Sequence, residues 1–199
     1  MRFWASVNLA FLFLTVGASP APAQTTIKRW ATPRRANELT LAGLRPGHDK
    51  ARTAVRLYGI PDSRSPDKRS LNWAFKGAEG AFFLNLDVDN SDVVQFIRVS
   101  HGQGPSGARL PKQNSNFPRA WHTGHGLAAD ALATRVVQLY GEPDSRSPST
   151  KDGQQLELLY YAFDWAGTDV PQVMEVLCTV AKDGKPGQVV EITLAAPSL

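Results

Sequence analysis

Residues 57–66 read Leu-Tyr-Gly-Ile-Pro-Asp-Ser-Arg-Ser-Pro, and residues 139–148 repeat them with a single change, Glu142 for Ile60. A chain of 199 residues that writes one segment twice must fold in a way that uses that segment twice. The residues upstream say what it follows. Ala51, Val55 and Tyr58 fall at i, i+4 and i+7, and so do Ala133, Val137 and Tyr140, 82 positions later. That spacing makes one stripe of an amphipathic helix. Gly59 and Gly141 stand where a helix ends with positive φ, and Pro61 and Pro143 keep it from resuming.

The match continues downstream with growing offsets. Trp73-Ala74-Phe75 corresponds to Tyr161-Ala162-Phe163 at 88 positions, so the second copy has gained six residues between loop and strand. Phe82, Leu84, Leu86 and Val88 alternate, as do Met174, Val176, Cys178 and Val180. Alternation with period two predicts half-buried strands. Val93–Ile97 and Val189–Thr193 then match at an offset of 96, after turns at Asp89–Asp92 and Lys182–Gly187. Short connections favour antiparallel neighbours. The expected fold is therefore α+β: two tandem units, each a helix plus a three-stranded antiparallel meander.

A glycine, a helix ending in Leu-Tyr-Gly-x-Pro and three antiparallel strands, written twice, resemble the unit of the beta-lactamase inhibitor protein family. The same unit resembles the SmpA/OmlA family of outer-membrane lipoproteins. The residues that carry the likeness are Pro46-Gly47-His48 and Gly59-Ile60-Pro61; in the second copy Gly141-Glu142-Pro143 matches the latter, and the opening glycine is displaced to Gly126. The resemblance implies the two-unit fold and an inhibitor-like grip through an exposed sheet surface and its loops.

The ends of the chain bear on location. Arg2, a mostly apolar run from Phe3 to Gly17 and the small-x-small triplet Ala21-Pro22-Ala23 have the order of a secretory signal, predicted over residues 1–23. The mature chain would be periplasmic or secreted. Residues 24–39 form a basic arm in which Lys28, Arg29, Arg34 and Arg35 allow weak contact with an anionic surface. The first unit is expected over 40–100, a linker over 101–119 and the second unit over 120–199. Export argues against nucleic acid as the partner. The single cysteine, Cys178, sits in an apolar stretch and reads as a small buried hydrophobe.

No motif specifies a reaction, a metal or a cofactor. Gly102–Gly107 spells G-x-G-x-x-G, but prolines follow where a phosphate-binding helix would have to begin. His122 and His125 lie among glycines, in a loop, with Asp130 as the nearest acid in sequence and a candidate helix cap. Asp87, Asp89 and Asp92 read as a hairpin turn. Strand alternation turns Phe82, Leu84, Val94 and Phe96 toward the helix, and Phe83, Asn85, Asp87 and Gln95 away from it. In the second unit Tyr160, Glu175 and Glu191 face outward. Phe83, Asn85, Tyr160 and Glu175 are thus candidate contacts for another exported or envelope protein, since aromatics dominate such contacts. Arg64 and Arg146 are further candidates, unless they pair with the neighbouring Asp62 and Asp144. The functional expectation is a non-catalytic protein-binding module. The alternatives are a periplasmic enzyme with a histidine site around His101, His122 and His125, and an envelope structural protein.

Overall fold

In the computed structural model the described residues are 37–77, 80–102, 121–163, 172–181 and 183–196. The signal, most of the basic arm with its four cations, and the linker beyond Gly102 as far as residue 119 lie outside them. Each copy opens with a two-turn helix, α1 (Ala51–Tyr58) and α2 (Ala133–Tyr140). The first copy continues as β1 (Ser63–Arg64), β2 (Ser70–Gly77), β3 (Gly80–Val88) and β4 (Val94–His101). The second continues as β5 (Ser145–Lys151), β6 (Gln154–Ala162), β7 (Val173–Thr179) and β8 (Val189–Ala195).

These strands make one eight-stranded antiparallel sheet in the order β1-β2-β3-β4-β8-β7-β6-β5. The expectation of two tandem helix-plus-three-strand units is corrected on two counts. Each copy supplies four strands, because the Ser-Arg of the repeated loop is itself an edge strand paired to the next one. The copies are also not separate bodies: β4 pairs with β8 from Phe96↔Ala195 to Ser100↔Glu191. Local periodicity reports which residues are strands, but strand pairing between copies leaves no periodic signature. None of the helices among the described residues is long and apolar enough to cross a membrane.

The duplication is visible bond by bond. The Gly59 N–H donates to the Val55 carbonyl and the Gly141 N–H to that of Val137, each at 2.8 Å. The Trp73 indole donates to the Gly59 carbonyl at 3.0 Å, and the Tyr161 hydroxyl to that of Gly141 at 3.1 Å. The Asp62 carboxylate accepts from the Ala74 N–H and the Asp144 carboxylate from the Ala162 N–H, at 2.8 and 2.7 Å. Both glycines have positive φ, 81° and 74°, as expected, but with ψ at −165°. This is the mirror image of extended backbone, a region essentially reserved for glycine, rather than the left-handed helical cap. A β-carbon at either position would have no neighbour within 4 Å, so the need for glycine is conformational and not steric. The helices begin on Lys50 and Leu132 without a side-chain cap, so Asp130 does not cap α2.

One core fills the face that carries the helices. Trp73, Leu84, Leu86, Ile97 and Val99 meet Tyr161, Met174, Val176, Cys178, Ile192 and Leu194 there, all essentially inaccessible. Burial pushes the Cys178 thiol up to about 12, in keeping with an inert packing role. One detail of the expected pattern shifts. Phe96 faces away from the core with the Arg98 guanidinium 4.8 Å above its ring, while Ile97 and Val99 face in. The cause is a bulge: the pairing passes from Asp87↔Phe96 to Val88↔Val94 and skips Gln95. The second copy has the same bulge, from Leu177↔Glu191 to Cys178↔Val189, skipping Val190. A bulge of one residue exchanges the faces of everything beyond it. The true correspondence is Val94 with Val189, an offset of 95.

Candidate functional site

The face without helices holds the candidate residues. Following the pairing sideways gives one row across all eight strands: Ser63, Asn72, Asn85, Arg98, Thr193, Glu175, Tyr160, Ser145. Every member is polar or carries a polar end, and the repeat places the dyad between Arg98 and Thr193. Three candidates, Asn85, Glu175 and Tyr160, thus share one row, with Glu175 and Tyr160 directly opposite each other. Glu175 is exposed, while Asn85 and Tyr160 are half-buried. The Asn85 amide donates to the Asn72 side chain at 2.5 Å. Phe83 belongs to the adjoining row, Ala74, Phe83, Ser100, Glu191, Leu177, Leu158, Ser147. Phe83 is only 4% exposed, although it stands outside the helix-side core.

At the centre of that row Glu191, 6% exposed, is held by two cations. The Arg98 Nε lies 3.1 Å from one carboxylate oxygen and the Lys151 Nζ 2.5 Å from the other. Lys151 comes from β5, three strands from β8, a flat separation of about 14 Å. A lysine and a glutamate span that distance only where the sheet curls toward this face. Lys151 ends β5 in the β5–β6 hairpin, which is closed by Asp152 and Gly153 with φ of 51° and 76°. Two positive φ values in a two-residue turn match the twist of the strands they join. This hairpin is where the six additional residues of the second copy went: they lengthen paired strands instead of a loop. The Asp152-Gly153 dipeptide was the signal for it. Beneath the hairpin tip, His101, Gly102, Lys151, Asp152, Gln154 and Val190 line an open hollow of about 280 Å³.

The repeated arginines lie at opposite ends of the sheet, on the edge strands. Neither forms the expected ion pair with its neighbouring aspartate, whose carboxylate instead accepts from an N–H of the adjacent strand, Ala74 within β2 or Ala162 at the end of β6. Arg146 reaches Glu142 at 2.9 Å and Glu157 at 3.5 Å. These carboxylates raise its pKa, the Glu142 contact most. Arg64 is exposed and makes no ion pair or side-chain hydrogen bond among the described residues.

The histidine region holds a group that the sequence reading placed in the arm. Glu38 is 1% exposed and accepts hydrogen bonds from the Leu39, Thr40, Gly124 and His125 N–H groups at 2.9–3.1 Å. It also contacts the His125 Nδ1 at 2.8 Å and accepts from the Tyr140 hydroxyl at 2.7 Å. Burial pushes the Glu38 carboxyl up, but the bonds from Tyr140, Thr40 and His125 outweigh it and leave the pKa lowered. Tyr140 is pushed well above the usual phenol range, by burial first. Gly124 is required here, since a β-carbon would sit 2.7 Å from the Glu38 carboxylate. The signal available in the sequence was an acid flanked by Leu39, Leu41 and Leu44; its long-range partners, 86 to 102 residues away, left none. His122 turns elsewhere, its Nδ1 lying 2.6 Å from the Thr123 carbonyl. His101 stacks near the Phe82 ring at 4.5 Å. The three histidines therefore do not form one site. No cluster of three or more metal-ligating side chains occurs among the described residues.

No family model matches the chain, and no curated protein does. Among solved structures, a DUF4309 family protein of Bacillus subtilis is similar at 12% identity and a TM-score of 0.41, covering 78% of this chain and 83% of that one. A cysteine-rich secretory protein of Staphylococcus aureus is similar at 10% identity and a TM-score of 0.42, covering 82% of this chain and 48% of that one. Neither comes from the two families whose repeat unit the sequence resembles.

Proposed function

We propose that this chain is an exported, non-catalytic protein-binding module, inhibitor-like or envelope-associated, that engages its partner through the helix-free sheet face. The observation that carries the reading is the continuous row of polar side chains across eight paired strands. A rigid sheet presents such a row without the entropy cost of ordering loops. Tyr160 supplies an aromatic anchor on it, and Arg98, Glu175 and Lys151 supply charge. The test is capture of a partner from the envelope fraction, followed by Tyr160→Ala and Glu175→Ala. Alanine at a hot spot costs about 2 kcal/mol of binding, roughly a 30-fold loss, with the fold intact. Undiminished binding by both variants would contradict the reading.

The enzyme alternative draws on one contact, a buried carboxylate on the Nδ1 of a half-exposed imidazole, the arrangement that orients a general base. The six-fold bonding of Glu38 accounts for the same contact as a clamp between residues 38–40 and 122–127. His125→Ala should accordingly leave partner capture unchanged; its loss, with Tyr160→Ala binding normally, would favour the enzyme.

A further inference from the structure

The two copies of the decapeptide share a backbone but not a charge state. In the second, Arg146 lies between the carboxylates of Glu142 and Glu157. In the first, Arg64 pairs with Leu71 as Arg146 pairs with Leu159. That register puts Ile60 where Glu142 stands and Arg69 where Glu157 stands. The matched bonds of Gly59, Asp62 and Trp73 place the Arg64 backbone as Arg146 is placed. The first loop thus keeps the arginine and lacks both of its carboxylates.

What fills the vacant position is apolar and open. Ile60 is 85% exposed, the highest value among the exposed large hydrophobic residues described. The nearby acids are already engaged: Asp62 accepts from the Ala74 N–H, and Asp67 accepts from Ser65 and from the Arg69 N–H. Scattered exposed hydrophobics need no explanation. An exposed isoleucine at the position from which a glutamate neutralises the same arginine elsewhere in the chain is a different matter.

We infer that the Ile60–Arg64 loop is a docking point for a polypeptide partner that carries a carboxylate beside an apolar side chain. The partner's carboxylate sits on Arg64 as Glu142 sits on Arg146, and its apolar neighbour covers Ile60. Arg69 and Lys68 add positive charge that favours an acidic segment. The inference rests on the reading of the chain as a binding module and names the chemistry of what it binds.

The test uses a fluorescently labelled peptide of alternating leucine and glutamate, with anisotropy as the readout. The wild-type chain should bind it, and added salt should weaken binding. Arg64→Ala should weaken it about tenfold, equivalent to about 1.4 kcal/mol. Ile60→Glu, which copies the second loop, should do the same by neutralising Arg64 from within. Arg146→Ala should leave binding unchanged. Circular dichroism should be the same for all four proteins, because these side chains are on the surface. No binding by the wild type, full binding by Ile60→Glu, or equal losses from Arg64→Ala and Arg146→Ala would overturn the inference. If it falls while Tyr160→Ala or Glu175→Ala still weakens partner capture, the sheet-face reading survives; if both of those variants also capture the partner undiminished, both readings fall.

Discussion

Tyr58 and Tyr140 end the two helices at matching positions, and both reach back to the segment that precedes α1. The Tyr58 hydroxyl donates to the Ala42 carbonyl, and the Tyr140 hydroxyl to the Glu38 carboxylate. One tie is neutral and the other charge-assisted. The hairpins differ in the same direction: β1 has two residues, while β5 has seven and carries Lys151 to Glu191. Arg64 is open and Arg146 is neutralised. At these three places the second copy has charged partners where the first has none. Duplication supplied a common frame, and the differences lie in which polar groups each copy satisfies internally.

The largest expected effect comes from removing the charged tie. Glu38→Ala leaves several buried donors without an acceptor and should cost about 3 kcal/mol or more of stability. The pH dependence follows from the lowered carboxyl pKa of Glu38. A folded value below the unfolded one gives stabilisation that is complete above about 4.5 and lost as pH falls through the folded value. Urea midpoints measured from neutral to acid pH should fall more steeply for the wild type than for Glu38→Gln. Equal slopes would assign the acid sensitivity to other carboxylates.

The tyrosines test the same asymmetry at smaller scale. Tyr140→Phe should cost about 2 kcal/mol and Tyr58→Phe about 1 kcal/mol, because a hydrogen bond to a charged acceptor is worth about twice a neutral one. Chemical denaturation of the two variants decides it, and equal costs would remove the distinction. The glycines should behave alike. Gly59→Ala and Gly141→Ala each place a side-chain-bearing residue in a glycine-only conformation, at about 1–3 kcal/mol, with no clash to relieve. A large difference between them would mean that the two helix ends are not equivalent in solution.

How far these features were legible depends on how local their causes are. The helices, the stopping glycines and the alternation of Leu84, Leu86, Met174 and Val176 follow from neighbours within a few residues, and the chain states them directly. Alternation alone puts Phe96 on the wrong face, because a bulge depends on hydrogen bonding to the partner strand and leaves no mark in hydrophobic period. The β4–β8 seam joins residues 91 to 99 positions apart, and no periodicity encodes it. Glu38 leaves no local mark for the same reason: apart from Leu39 and Thr40, its partners are Gly124, His125 and Tyr140. Asn85, Glu175 and Tyr160 were named one by one from alternation. That they form a single row emerged only from the strand order.

The smallest expected effects concern the repeated arginines. Arg146→Ala should cost less than about 1 kcal/mol, since its ion pairs are solvent-exposed. Arg64→Ala should leave the midpoint unchanged. A measurable loss at Arg64 would show that the first loop is held by a contact of its own.

The central claim is that the two copies are fused through β4 and β8 into one sheet. Native-state hydrogen exchange, followed residue by residue, tests it most directly. A continuous sheet predicts that the amides of residues 96–100 and 191–195 exchange only through global unfolding, with the same free energy as the inner strands β2, β3, β6 and β7. Seam amides that open at clearly lower free energy, while the inner strands of each copy stay protected, would contradict it and restore two independent units.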